Sequence, residues 1–208
     1  MNNNDERIVD IVNEETVSEI KTAAKNTGKK KNSFHLTVYD MVSIIMSSFI
    51  IIAVVFTFMF RLVGVSGTSM TDTLQHQDWL LTVQKESYER GDIVVITEPN
   101  YFDEPLIKRV IAKGGETVDI DFATGTVYVD GVALVEPYTR EDYIAPKLDD
   151  IEFPYTVPEG RIFCMGDNRN GSTDSRSQLI GPLDERYVLG KAVIRILPFG
   201  DFNIYDYE

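Results

Sequence analysis

The chain has 208 residues, enough for one sizeable domain and additional segments, and 43% of them are hydrophobic, enough for a packed core. Its formal net charge of -13, from 20 basic and 33 acidic side chains, excludes a nucleic-acid binder that works through a basic face. A single cysteine, Cys164, excludes an intramolecular disulfide and a cysteine-rich zinc site.

Residues 1–33 are polar and lysine-bearing, and are expected to form a flexible tail, with a weak amphipathic pattern about Ile8, Val12 and Ile20 as the alternative. Met41 to Phe60 is a run of twenty residues without a charge, bracketed by Asp40 and Arg61. As a helix it spans ~30 Å, the thickness of a hydrocarbon core. A cleavable signal peptide would have a shorter apolar region followed by small residues. This run follows forty residues and ends in Phe58-Met59-Phe60-Arg61, so it is expected to stay as an anchor. Lys21, Lys25, Lys29, Lys30 and Lys31 precede it, whereas only Arg61 follows closely. Because basic flanks stay cytoplasmic, the N-terminus is expected inside and residues 62–208 outside. Residues 1–61 hold 7 basic and 7 acidic side chains, and residues 62–208 hold 13 and 26, so the net charge falls entirely on the second part.

That second part reads as β. Short apolar runs alternate with turn signals, which predicts strands at Trp79–Val83, Ile93–Thr97, Leu106–Ala112, Thr117–Ile120, Thr126–Val129, Arg161–Met165 and Val188–Leu197. Asp130-Gly131 is a good hairpin signal and Thr124-Gly125 a weaker one. No helical period persists after Phe60. Residues 136–159, with four prolines and a run of acids, are expected to make a long excursion on the rim of the sheets.

Ser69, among the small residues of Gly64-Val65-Ser66-Gly67-Thr68-Ser69, is a candidate nucleophile, and a serine needs a base. The two histidines serve poorly. His35 falls on the cytoplasmic side, and His76 lies in a polar turn, Gln75-His76-Gln77-Asp78. A lysine made neutral by burial is the other option. Lys108 sits within Leu106-Ile107-Lys108-Arg109-Val110-Ile111, on one strand face with Leu106 and Val110. The local pattern leaves two readings open, a buried base and an edge-strand gatekeeper against aggregation. A third stretch, Gly166 to Arg176, concentrates hydrogen-bonding side chains in one loop, which suits either a solvated loop or a braced site.

Four blocks, in order, resemble the bacterial type I signal peptidases, membrane-anchored serine–lysine proteases, most closely their single-span Gram-positive forms. They are Gly67 to Leu74, Arg90 to Val95, Ile107 to Ile111, and Gly166 to Arg176, which matches the Gly-Asp-Asn-Arg…Ser-x-Asp-Ser-Arg pattern at every fixed position. Gly190-Lys191-Ala192 and Pro198-Phe199 resemble the family's C-terminal end. The resemblance implies a mainly antiparallel β catalytic ectodomain with an inserted β-rich subdomain, behind one transmembrane helix. The expected division is a cytoplasmic tail over 1–40, the span over 41–60 and the extracytoplasmic domain over 61–208, with the insertion at about 117–160. It implies Ser69 as nucleophile, neutral Lys108 as general base and Ser172 hydrogen-bonded to the Lys108 amine. It also implies that Asp167 pairs with Arg109, that Asp174 pairs with Arg176 and that Met70 shields the lysine. The resemblance further implies that the Ser69 N–H forms part of an oxyanion hole, with the Gly67 or Thr68 region beside it. No cofactor or metal is implied. The implied partners are the signal peptides of preproteins, the bilayer and the secretion machinery.

The chain departs from the family at Asp72, where proline is usual, and at Ala112-Lys113-Gly114-Gly115-Glu116, which loses another proline. Phe60 to Ser69 is nine residues, so Ser69 is tethered within ~30 Å of the end of the span. The family's preference for small side chains near the cut implies shallow pockets, expected between Val63–Met70, Trp79–Val83 and Ile93–Val95. A non-proteolytic assembly factor for secreted proteins is the alternative, motivated by the altered turns. A self-cleaving repressor-type protease is opposed by the span and by the acidic charge.

Overall fold

The computed structural model describes residues 16, 18–19, 21, 34–35, 37–57, 59–99, 103–200 and 202–204. The tail pattern about Ile8, Val12 and Ile20, and the lysines at 25 and 29–31, lie outside the described residues. The chain divides into two compact units, residues 1–56 and 57–208.

In the first unit, helix α1 runs Thr37–Thr57 and is long and apolar enough to cross a membrane. All its described side chains are exposed, and an exposed helix that is apolar on every face suits lipid rather than water. The uncharged run and the helix do not coincide. Phe60 opens a strand instead, because its backbone pairs with Val83.

The second unit is mainly β, as expected. Its strands are β1 Phe60–Gly64, β2 Trp79–Val83, β3 Ile93–Ile96, β4 Leu106–Lys113, β5 Thr117–Asp121, β6 Thr126–Val129, β7 Val132–Ala133, β8 Tyr155–Thr156, β9 Arg161–Met165, β10 Leu183–Asp184 and β11 Val188–Leu197. They form a seven-stranded sheet in the order β1-β2-β11-β3-β4-β9-β10 and a four-stranded sheet in the order β7-β6-β5-β8. Neighbouring strands pair antiparallel throughout. The central strands β3 and β9 are covered on both faces, which is why they read as continuous apolar runs. The Asp130-Gly131 turn joins β6 to β7 with φ of 51° and 77°, the left-handed pair that a two-residue hairpin turn requires.

Seven strands fall where the sequence places them, with ends that agree to within a residue. Three that it did not indicate, β7, β8 and β10, have two residues each, too short to show alternation. The fourth, β1, is hidden by its continuity with the apolar run. The smaller sheet is not closed around a core of its own. Val118, Ile120, Val127 and Val129 pack in one cluster with Ile111 and Ala112 of β4 and with Phe163 and Met165 of β9. Residues 136–159 are likewise more than a rim excursion, because they include β8 and hydrogen-bond repeatedly to the loop after β9.

Phe163 is fully buried in that shared cluster and meets the rings of Phe153 and Tyr155 at 6.2 and 6.3 Å. Phe163→Ala is expected to destabilise the second unit by ~3–5 kcal/mol. Denaturant unfolding of the detergent-solubilised chain would read this as a lowered midpoint.

Candidate active site

Ser69 lies in the loop that joins β1 to β2. The base of the loop is closed by Val65 N–H to Asp78 O at 2.8 Å and Gln77 N–H to Val65 O at 2.9 Å. Asp78 is itself buried, pairs with Arg195 of β11 at 2.9 Å, and caps the Gln75 N–H at 2.9 Å. Inside the loop, a turn from Thr68 to Leu74 buries Met70 and Leu74 against Leu80, Ile93 and Ala192. These anchors leave Ser69 partly exposed at the top of the turn.

Lys108 is on β4, which lies between β3 and β9 in the larger sheet. It pairs across the ladder with Val94 and is 4% exposed. An interior position of this kind is not an edge, so the gatekeeper reading does not apply. Lys108 Nζ donates to Ser69 Oγ at 2.8 Å and to Ile107 O at 3.1 Å. Burial pulls the Lys108 amine below its usual 10.5; Asp174, the Cys164 thiol and Asp167 oppose this, and Arg176 adds to it. Burial, with Asp174, pushes the Cys164 thiol up, and Lys108 opposes this only in part.

The loop after β9 brings the remaining predicted residues to this point. Asp167 takes two hydrogen bonds from Arg109, at 2.8 and 2.6 Å, and one from Thr73 Oγ1 at 2.6 Å, which ties the loop to both β4 and the Ser69 turn. Arg176 binds Asp174 through two nitrogens, each at 2.8 Å, and donates to Arg169 O at 2.6 Å. Burial would raise the Asp174 carboxyl, but the Arg176 guanidinium and the Gly166 N–H hold it down to about 2. Ser172 differs from expectation. It makes no hydrogen bond to the Lys108 amine, which is directed to Ser69 Oγ and Ile107 O; its buried Oγ lies by the Asp174 carboxyl instead, which it helps to hold down.

Several residues at the site were not singled out from the sequence. Asn168 Nδ2 donates to Thr68 O at 3.0 Å and its N–H donates to Ser69 O at 3.1 Å. Gly166 packs so closely that a Cβ there would collide with Ser69 O and Ser172 Oγ. Both lie in the block already identified, so their presence was legible but their role was not. Tyr138 lies under the Arg109 guanidinium at 3.8 Å and donates to Glu136, which forms a buried pair with Arg169 at 2.6 Å. Nothing local to residues 136–138 signals those contacts. His76 is exposed and accepts the Gly67 N–H at 3.4 Å. Asp72 is exposed and the Thr71–Asp72 peptide is cis.

A cleft of about 610 Å³ opens over Ser69 and Lys108. One wall is Val63 to Met70, as expected. The other is Glu104 to Ile107, with Gly171 and Thr173 at one end. The expected walls at Trp79–Val83 and Ile93–Val95 do not line it, because Ile93, Val94 and Val95 are fully buried in the sheet. Among the described residues, Glu104 is the only charged side chain in the lining apart from Lys108. Ser69 and Lys108 can therefore meet an uncharged, extended segment of polypeptide.

Residues 38–197 match the family described as signal peptidase, peptidase S26. The chain is similar to a signal peptidase I of Bacillus licheniformis, with 32% identity over 89% of this chain and 100% of that relative. It is also similar to signal peptidase IB of Staphylococcus aureus, with 30% identity over 75% of this chain and 87% of the relative. A crystal structure of a signal peptidase I from Enterococcus faecalis aligns with a TM-score of 0.42 at 32% identity, covering 52% of this chain and 98% of that one.

The Asp174–Arg176 pair gives the fold an acid limit. The carboxyl sits at about 2 when folded and at 3.8 when unfolded, so its contribution is complete above the unfolded value and is lost as pH falls through about 2. The stability gap between the chain and its Asp174→Asn variant is expected to narrow by about 2 kcal/mol between pH 5 and pH 2. Denaturant unfolding across that range measures it.

Proposed function

The chain belongs to the signal peptidase family, peptidase S26, and from that premise we propose that it removes signal peptides from preproteins with Ser69 as nucleophile and neutral Lys108 as general base. It is a serine endopeptidase, and α1 makes it membrane-anchored. The observation that carries the site assignment is the 2.8 Å contact between a buried lysine amine and a serine hydroxyl at the floor of a peptide-sized cleft.

The chemistry follows from that geometry. With Lys108 neutral, the Ser69 O–H donates to the Nζ lone pair across the same contact. As Oγ attacks the scissile carbonyl, its proton passes to Nζ, and the carbonyl electron pair moves onto oxygen. The Ser69 N–H, which no acceptor takes among the described residues, stabilises that oxyanion with the Gly67–Thr68 backbone beside it, a contribution of ~3–4 kcal/mol. Collapse breaks the C–N bond, and Lys108 returns its proton to the leaving amine. Water then resolves the acyl-enzyme by the same path. Met70 and the apolar neighbours of β4 keep bulk water from reprotonating the lysine. Asp167 with Arg109, and Asp174 with Arg176, brace the loop that carries Ser172 and take no part in proton transfer.

The lysines that precede the span support an orientation with residues before α1 in the cytoplasm and the β domain outside. Ser69 follows Thr57, the last residue of α1, by twelve residues, so the covalent chain alone keeps the nucleophile within ~40 Å of the helix end, a reach that suits a cut just beyond an inserted apolar segment. Substrates reaching that place arrive from the secretion machinery.

Ser69→Ala and Lys108→Ala are each expected to lower cleavage of a preprotein in detergent by about a thousandfold or more. Undiminished cleavage by either variant would sink the dyad. Because only neutral Lys108 accepts the proton, the rate should rise with pH through a midpoint well below 10.5, the ordinary lysine value. Lys108→Arg should be inactive at every pH tested, since a guanidinium stays charged.

A further inference from the structure

Asn168 holds two successive peptide groups of the Ser69 turn. Its side-chain nitrogen donates to Thr68 O at 3.0 Å, and its backbone N–H donates to Ser69 O at 3.1 Å. The amide orientation is determined from the other end, where Asn168 Oδ1 accepts the Gly171 N–H at 2.9 Å. Gly171 is stacked so tightly on this amide that a Cβ at 171 would overlap it. Asn168 is buried and does not line the cleft, so its effect on a substrate must pass through the turn it holds.

A trans peptide is planar, and its C=O and N–H point to opposite sides. Fixing the Thr68 carbonyl therefore fixes the direction of the Ser69 N–H. The carbonyl faces Asn168 and the loop after β9, so the N–H faces away from them. Within the turn, Thr71 N–H and Thr71 Oγ1 also reach Thr68 O, at 3.2 and 2.9 Å. Those two donors move with the turn. Asn168 alone ties the plane to the loop that carries Ser172 and the two buried ion pairs. Gly67 has no hydroxyl to share the work of stabilising an oxyanion.

We propose that Asn168 is a positioning residue that aims the Ser69 N–H at the developing oxyanion by holding the Thr68 carbonyl, an inference that rests on Ser69 being the nucleophile. It touches neither substrate nor the reacting atoms. Its contribution is confined to the transition state, because the N–H has no charge to meet until the carbonyl is attacked.

The test uses the full chain in detergent and a peptide with small residues at the cut. Asn168→Ala removes both side-chain contacts. Asn168→Asp keeps the shape and still accepts from Gly171, but has no donor for Thr68 O. Each variant is expected to lower kcat by about 10- to 100-fold with KM within about twofold. Affinity for the corresponding peptide aldehyde, which adds Ser69 Oγ at carbon while its oxygen takes the electron pair and Lys108 takes the proton, should fall by the same factor. Affinity for the peptide ending in a primary alcohol, which cannot be attacked, should not change. The acid limb of the Asn168→Ala rate profile should stay in place. If Asn168→Ala fails to fold, Asn168→Asp carries the same expectation.

A kcat near that of the unaltered chain, a loss seen only in KM, equal weakening of aldehyde and alcohol, or a displaced acid limb would each overturn the inference. Ser69→Ala separates the two levels. A dead Ser69→Ala beside a fully active Asn168→Ala refutes the positioning role alone. An active Ser69→Ala refutes the nucleophile, and the role of Asn168 falls with it.

Discussion

Lys108 gives up nearly all of its hydration, and the site depends on nothing nearby restoring its charge. Desolvation favours the neutral amine, whereas an unpaired carboxylate a few ångströms away would undo that. The two carboxylates that act on Lys108, Asp174 and Asp167, are each already engaged by two guanidinium nitrogens. Arg176 opposes the effect of Asp174 on the lysine in part. Arginine suits this use, since its fork matches a carboxylate and it cannot become neutral itself. The same carboxylates hold the loop rigid beside the lysine, and although both still favour its charged form, burial outweighs them. Lys108 and Arg109 are consecutive on β4, and strand alternation sends one to Ser69 and the other to Asp167.

How much of this was legible in the sequence depends on whether a feature is local. The strands from β2 to β6, with β9 and β11, carry their own apolar runs and turn residues, so their limits could be read directly. Ser69, Lys108 and the 166–176 loop were recognisable by residue type and order. The ambiguity at Lys108 was not resolvable locally, because a lysine in an apolar run looks the same on an edge strand and on β4. The strand order removes the edge-strand reading. The cleft walls were misjudged for a related reason. Ile93 to Val95 are apolar enough to line a pocket, yet their side chains go into the core, Ile93 with Met70, Leu74 and Leu80 and Val94 with Val110 and Cys164. The tie from Asn168 to Thr68 spans 100 residues, and that from Arg169 to Glu136 spans 33. Neither leaves a periodic trace.

The segment from 136 to 151 is ordered by the loop after β9. A loop of polar residues has no ladder to order it, and each residue held in one conformation costs ~1–2 kcal/mol of backbone entropy. Partners outside the loop offset that. Arg140 N–H reaches Asp167 O at 3.4 Å, Ala145 N–H reaches Asn170 Oδ1 at 2.8 Å, Lys147 Nζ reaches Ser172 O at 2.7 Å and Ile151 N–H reaches Arg176 O at 2.7 Å. Glu136 closes the set through Arg169. Buried ion pairs add little net stability against apolar residues of the same size, but breaking one is costly, so they favour a single arrangement over near alternatives. The acid-rich stretch 117–159 is in this sense the outer half of the frame around Lys108. Its apolar strands share the core of β4 and β9 while its polar return segment sets the loop that faces Lys108.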